Sequence, residues 1–346
     1  MRRPLHILFL GSDDFSVDVL RAVWRRRCSG LKQESDGRGD VDKLSVITPA
    51  PARTGRGKKQ LRVPPLLEQS QQLQLPTYTP TAGELPHMAS HLPALDVILT
   101  ASYGHLLPTE LLRAVRPQHA INVHPSLLPA LRGAAPIQWA IARQLRETGV
   151  SIQTMQDDVF DSGEILLQRT HPLSSSTSHR PTTPSLAKEL GLVAGEMAAE
   201  VLENLDHYIQ HSYAQDTARI THAPKVGRTV GFVDFACMAA ETIDSRHRAF
   251  SHQRPLSATL LQSNTTHQLL SVEVVGGDGV VADTFSNAVE GSASLIDSHL
   301  VVKCARSSYL RVHSLKPPGK HAISAHEWWN GHRHGLNIVN FTKPSL

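Results

Sequence analysis

The sequence predicts an α/β chain in which a doubly wound, mostly parallel sheet is followed by a small β-barrel. Three observations carry this. Short apolar runs alternate with amphipathic stretches over residues 5–209, a polar stretch around Pro224 and Gly227 breaks the alternation, and short apolar runs separated by turn residues follow it. Taken in order, residues 5–10 form an apolar run ending at Gly11, Ser12, Asp13 and Asp14 can cap a helix, and residues 15–27 are amphipathic. That is strand, loop, helix. Further strands are expected over residues 44–48, 96–100 and 119–123, with a helix over 65–72 and a longer one over 185–209. Beyond the polar stretch, a helix over 238–250 precedes runs at 257–261, 269–275, 300–304 and 310–315, punctuated by Gly276, Gly277, Asp278 and Gly279. Two segments, 29–42 and 174–184, carry turn-forming and polar residues and read as surface insertions.

Composition narrows the function. The chain has 346 residues, enough for about two domains, and 40% apolar with 19% charged residues does not predict disorder. No apolar run approaches the ~18 residues of a membrane-spanning helix. Cys28, Cys237 and Cys304 stand far apart, which suggests neither a disulfide framework nor a thiolate metal site. His207 and His211 lie four apart, but the glutamate of a zinc-protease motif is missing, so they read as surface histidines and no metal is expected. The single glycine after the first strand is not Gly-x-Gly-x-x-Gly, which removes the dinucleotide reading. A net charge of +4 favours anionic partners.

Two segments carry chemistry. In a strand over 119–123 that runs on to His124, alternation of side chains puts Asn122 and His124 on one face at the carboxyl end, where open α/β sheets place their ligands. Alone, such a histidine more often ends a strand and bonds to backbone. Its neighbourhood argues otherwise: Pro125, Ser126, Leu127, Leu128 and Pro129 follow, then Arg132, Gly133, Ala134, Ala135 and Pro136, then Asp161, Ser162 and Gly163. The second segment lies between Asp42 and Glu68, where no carboxylate interrupts Lys43, Arg53, Arg56, Lys58, Lys59 and Arg62. It fails the P-loop pattern, because Ala52 and Lys59 stand where glycine and a hydroxyl residue are required. A phosphate backbone is the better partner.

Residues 122–136, the loop around Asp161, and Gly55, Arg56, Gly57, Lys58 and Lys59 closely resemble the methionyl-tRNA formyltransferase family, with a weaker match at residues 248–250 and 317–320. The resemblance implies a formyltransferase-like, Rossmann-type sheet over 1–214 and an OB-like, tRNA-binding barrel over 232–346, and the polar, aperiodic stretch 215–231 between them reads as the linker. It implies transfer of a formyl group from 10-formyltetrahydrofolate to the α-amino group of methionyl-initiator tRNA, with Asn122, His124 and Asp161 as catalytic residues. Folate is expected near Ser102, Tyr103, Gly104, Ser126, Leu127, Leu128, Pro129 and Asp157, and tRNA on Arg53, Arg56, Lys58, Lys59 and Arg62. Asn122 suits an oxyanion donor. His124 can be charged to stabilise that oxyanion or neutral to accept a proton, and Asp161 can hold the imidazolium or manage a bridging water. Rival readings keep the same three residues: a related folate-dependent formyltransferase or hydrolase on another substrate, or a silent RNA-binding relative. The basic segment and the 12 basic against 9 acidic residues from His222 onward favour the tRNA reading. A monomer without membrane association is expected. The arginine-rich start and the Ser/Thr-rich stretch 174–184 lean towards the mitochondrial matrix, the alternative being a bacterial cytoplasm.

Arg56 stands between two glycines, where the backbone can bring a planar guanidinium against a phosphate or a base edge, a two-pronged contact that lysine cannot copy. Arg56→Lys should therefore lose formylation of initiator methionyl-tRNA at both low and high salt. Wild-type-like activity of that variant at both would reduce the segment to general electrostatic attraction.

Overall fold

The computed structural model describes residues 4–27, 43–55, 57, 59–157, 159–173, 180–333 and 335–345. Cys28, Arg56, Lys58, the whole of the 29–42 insertion and residues 174–179 of the second lie outside the described residues. The chain forms two compact units: one from the described residues within 1–136, 146–175 and 184–224, the other from those within 137–145, 176–183 and 225–346. The stretch 215–231, read as a linker, is thus divided between them at Pro224 and Lys225.

The first unit begins with β1 (His6–Gly11), α1 (Asp14–Arg27), β2 (Lys43–Ile47), the short β3 (Ala52–Thr54) and β4 (Gln60–Arg62), α2 (Pro65–Gln72) and β5 (Thr77–Tyr78). It continues through α3 (Met88–His91), β6 (Val97–Ala101), α4 (Thr109–Leu112) and β7 (Ala120–His124). After α5 (Pro136–Ala142), most of which belongs to the other unit, come β8 (Glu147–Thr154), β9 (Ile165–Pro172), α6 (Thr183–Glu203) and α7 (Leu205–Gln210). The seven-stranded sheet has the order β5-β2-β1-β6-β7-β8-β9, parallel through β7 and antiparallel beyond. Every residue of β1 is buried, as a strand covered on both faces requires. Leu8, Leu10, Ile47, Ile98 and Leu111 share one core cluster. Gly11 is needed because a Cβ there would stand 2.6 Å from the Ala101 carbonyl oxygen, so only glycine lets β1 turn into α1. The single helix expected over 185–209 is two, interrupted at Asn204, whose φ of −130° and ψ of 40° leave the helical region.

In the second unit, α8 (Ala240–Phe250), β10 (Leu256–Leu260), β11 (Thr265–Val275), α9 (Val280–Thr284), β12 (Ser292–Ile296) and β13 (His299–Cys304) come first. They are followed by β14 (Ser308–Lys316), β15 (Ile323–Ser324), α10 (Ala325–His332) and β16 (Val339–Thr342). Six strands close antiparallel in the order β11-β10-β16-β12-β13-β14, with β14 pairing back onto β11 and β15 attached to β14. Closure leaves the six-stranded ring no open edge. Trp328, Phe235, Leu310 and Phe341 fill its core, and α10 is fixed by a capping box between Ser324 and Glu327.

A histidine sits in that core. His267 is fully buried, its ring edge-on to Trp328 and Phe341, and its Nδ1 donates to the Thr265 carbonyl at 3.0 Å while Nε2 has no hydrogen-bond partner among the described residues. Burial pushes the imidazole below its ordinary value, so the folded state holds it neutral. The unfolded chain takes up a proton below about pH 6.5, so stability should fall as pH drops through that value, by up to about 1.4 kcal/mol per pH unit for this group. Melting temperatures at pH 7.5 and 5.5 test this: His267→Leu should show a smaller acid-induced drop than the wild type, and an equal drop would refute it.

Candidate active site

The site is assembled from one row of side chains across three adjacent strands. Asn122 on β7 lies opposite Thr100 on parallel β6 and opposite Gln153 on antiparallel β8, so three polar residues come side by side on one face. His124, two residues on, shares that face and lies opposite Ser151. The Thr100 hydroxyl donates to Asn122 Oδ1 at 2.7 Å, which fixes the amide and turns its Nδ2 towards Asp161.

Asp161 comes from the connection between β8 and β9. Its φ of 54° is left-handed, a conformation that aspartate tolerates better than most residues, and it reverses the chain so that the carboxylate returns to β7. Gly163 follows where any Cβ would collide with the Thr154 carbonyl. The side chain is only 7% exposed and every approach to it is a donor. Oδ1 accepts from Asn122 Nδ2 at 3.5 Å and Gln153 Nε2 at 3.2 Å and lies 3.3 Å from His124 Nδ1, an ion-pair distance, while Oδ2 accepts from the Gly133 amide at 2.8 Å. On its other side His124 donates from Nε2 to the Leu131 carbonyl at 3.0 Å. Both ring nitrogens thus face acceptors.

The structure therefore brings Asn122, His124 and Asp161 into one cluster. Thr100, Gln153 and Gly133 belong to it as well; sequence reading did not single out Thr100 or Gln153, because a polar residue inside a strand looks like a solvent-facing position. Gln215, on the stretch read as linker, also reaches in: its Nε2 lies 3.0 Å from the Asp161 carbonyl oxygen and 2.8 Å from that of Gly163.

The other expected folate residues fall into three groups. Ser102, Tyr103 and Gly104 follow β6 directly, at the same end of the sheet as His124, with the Ser102 carbonyl accepting from Ser12 Oγ at 2.7 Å. Ser126 and Leu128 are buried in their own loop: Ser126 Oγ donates to the Ala130 carbonyl, and Ser151 Oγ bridges the Ser126 carbonyl and the Leu128 amide. Leu127 packs beside Gly149, Pro129 follows a cis peptide bond, and Asp157 is exposed.

The basic segment is a separate two-stranded ribbon, β3 paired antiparallel with β4, in the register Ala52 to Arg62, Arg53 to Leu61 and Thr54 to Gln60. Arg53 and Arg62 therefore sit on opposite faces, and both are exposed, as is Lys59 at the turn. Among the described residues no group of three or more histidine, cysteine or carboxylate side chains could hold a metal, and no helix is long and apolar enough to cross a membrane.

Loss of the hydroxyl in Thr100→Val should leave the half-buried Asn122 Oδ1 without that donor and cost about 0.5–1.5 kcal/mol, measurable by urea denaturation. Unchanged stability would mean that the amide is held by something else.

The Formyl transferase family model matches residues 22–189, and the model of the Formyl transferase C-terminal domain matches residues 225–333. A methionyl-tRNA formyltransferase of Methylococcus capsulatus is 31% identical over 330 residues, covering 95% of this chain and 97% of the relative. The mitochondrial methionyl-tRNA formyltransferase of Bos taurus is 31% identical over 336 residues, covering 96% of this chain and 78% of the relative. The crystal structure of HypX from Aquifex aeolicus in complex with tetrahydrofolic acid superposes with a TM-score of 0.57 at 16% identity; it matches 99% of this chain, which spans about half (51%) of HypX. Similarity at 31% identity over nearly the whole chain places it in the methionyl-tRNA formyltransferase family.

Proposed function

We propose that this chain moves a formyl group from 10-formyltetrahydrofolate to the α-amino group of methionine esterified to initiator tRNA. The observation that carries the mechanism is the convergence of Asn122, His124 and Asp161. Attack by the neutral amine on the formyl carbon forms the new C–N bond and moves the C=O π electrons to the formyl oxygen as an oxyanion; collapse re-forms C=O and breaks the bond to the folate nitrogen, which leaves with a proton while the amine loses one. Asn122 offers Nδ2 to the oxyanion, since its other end is tied to Thr100. His124 supplies the second donor or moves the proton, and Asp161 holds the ring in place for either task. The contacts from Asn122 and His124 to Asp161, 3.5 and 3.3 Å, are long for bonds to a carboxylate, so these donors can turn to a developing charge at little cost.

The folate fits the same end of the sheet. Ser102, Tyr103 and Gly104 offer backbone groups to its ring, the loop 126–129 forms a rigid wall, and Asp157 stands on the rim. The exposed ribbon with Arg53, Lys59 and Arg62, together with Arg56 and Lys58, suits an acceptor that carries a phosphate backbone better than a small sugar. We further propose a catalytic unit joined to a tRNA-binding barrel in one monomer acting in the mitochondrial matrix. The Ser/Thr-rich stretch favours that compartment over a bacterial cytoplasm.

Asn122→Ala, His124→Ala and Asp161→Ala should each lower kcat by about 10² to 10³ with tRNA affinity nearly unchanged, because they act on charge that develops in the transition state. Transfer of labelled formyl groups to methionyl-tRNA, with binding measured separately, tests this. Near-full turnover in all three variants would overturn the mechanism.

A further inference from the structure

Gln215 lies 54 residues along the chain from Asp161, yet it sets the place of that residue from behind. Its Nε2 is within 3.0 Å of the Asp161 carbonyl oxygen, 2.8 Å of the Gly163 carbonyl oxygen and 3.1 Å of Gln153 Oε1. All three are acceptors, so this end of the amide has to be the donor. The opposite end is fixed just as firmly. Gln215 Oε1 receives both Nε and Nη2 of Arg132, at 3.1 and 2.6 Å, and a guanidinium can only donate. An amide that could turn over is therefore locked in one orientation by an arginine fork on one side and carbonyl groups on the other.

We propose that Gln215, oriented by Arg132, is a positioning residue: it holds the left-handed turn at Asp161 so that the carboxylate stays aimed at His124. Arg132 and its neighbour Gly133 grip this turn together. The Arg132 side chain acts through Gln215 on the backbone of Asp161 and Gly163, and the next amide, Gly133 N, donates to Asp161 Oδ2 at 2.8 Å. Arg132 is itself anchored to the strand-like stretch beyond Gln215, donating its amide to the Thr221 carbonyl at 2.9 Å and accepting from the Ala223 amide at 2.7 Å. Gln153 closes the circuit, since it receives Gln215 at Oε1 and donates from Nε2 to Asp161 Oδ1. The backbone and the carboxylate of one residue are thus held by the same set of groups. A non-glycine residue at φ of 54° relaxes towards ordinary backbone angles unless its surroundings hold it there.

The inference rests on the proposed chemistry for what it does to rate, but not for what it does to geometry, so the test reads both. The full-length chain carries ¹⁵N-labelled histidine, with the His124 ring signal assigned through its absence in His124→Gln. Asp161→Asn gives the signal for a ring that has lost its carboxylate. Gln215→Met keeps the length of the side chain and removes its donors; its His124 Nδ1 signal should move from the wild-type position towards that of Asp161→Asn. Its kcat for formyl transfer should fall about tenfold with KM for both substrates within about threefold, the mark of lost orientation rather than lost binding. Arg132→Lys keeps the charge but not the fork, leaves Gln215 in place, and should show the same displacement in weaker form. A folded Gln215→Met chain with the wild-type ring signal and kcat overturns the inference, even if it melts earlier. Should Gln215→Met fail to fold, a wild-type ring signal in Arg132→Lys overturns it equally. A wild-type chain that transfers no formyl group to methionyl-tRNA would remove the functional reading, while the ring signal would still decide the positioning role.

Discussion

A carboxylate taken out of water has to be met by donors on both oxygens, and the architecture of the first unit follows from doing this for Asp161. An unpaired buried carboxylate costs several kcal/mol, more than the net worth of any one hydrogen bond in the cluster. Four groups supply the need from three places: Asn122 and His124 from β7, the backbone amide of Gly133 from the loop after β7, and Gln153 from β8. Three of these groups are also tied at their far ends: Asn122 Oδ1 accepts from the Thr100 hydroxyl, Gln153 Oε1 accepts from Gln215 Nε2, and His124 Nε2 donates to the Leu131 carbonyl. A polar row across the end of an otherwise apolar sheet is tolerated because it is closed on itself.

The reversal of strand direction at β8 serves the same end. Two parallel neighbours must be joined by a crossover of a dozen or more residues, usually a helix, which would carry the connecting chain across the sheet. Antiparallel β8 and β9 are joined directly, with only residues 155–164 between them, and that short connection folds back so that Asp161 reaches Asn122 and His124. Glycine at 163 permits the fold-back, and the paired amide and hydroxyl contacts between Thr154 and Glu164 close its neck.

What the sequence reveals, and what it hides, divides along physical lines. The β1 strand, apolar from Ile7 to Leu10, the helix over 65–72 with proline at its start, and the Asn122 and His124 pair are legible because each obeys a local pattern. Antiparallel β8 is hidden, since Ser151, Gln153 and Thr154 are buried polar residues that blur its alternation; their burial is what the site requires. The ribbon reads as a loop because its three-residue strands are exposed on both faces and carry no apolar face to detect. Asp161 joins the site only through family resemblance, and Gln215 not even through that: its partners are carbonyl oxygens, which leave no mark on side-chain pattern. The break at Asn204 escapes for a related reason, since the apolar period continues on either side of it.

Chemistry and attraction are also built to different standards of order. Asn122, His124 and Gln153 stand on central strands whose backbones are paired on both sides, so their positions are set by the sheet before any substrate arrives. Arg53 and Arg62 stand on an isolated two-stranded ribbon, an arrangement only marginally stable in water on its own. A reaction that depends on placing donors within a few tenths of an ångström needs the first kind of support. Phosphate attraction acts over a Debye length of about 8 Å at physiological salt and tolerates the second. Charges on both faces of the ribbon suit it further, since they present a positive surface whichever way the ribbon turns.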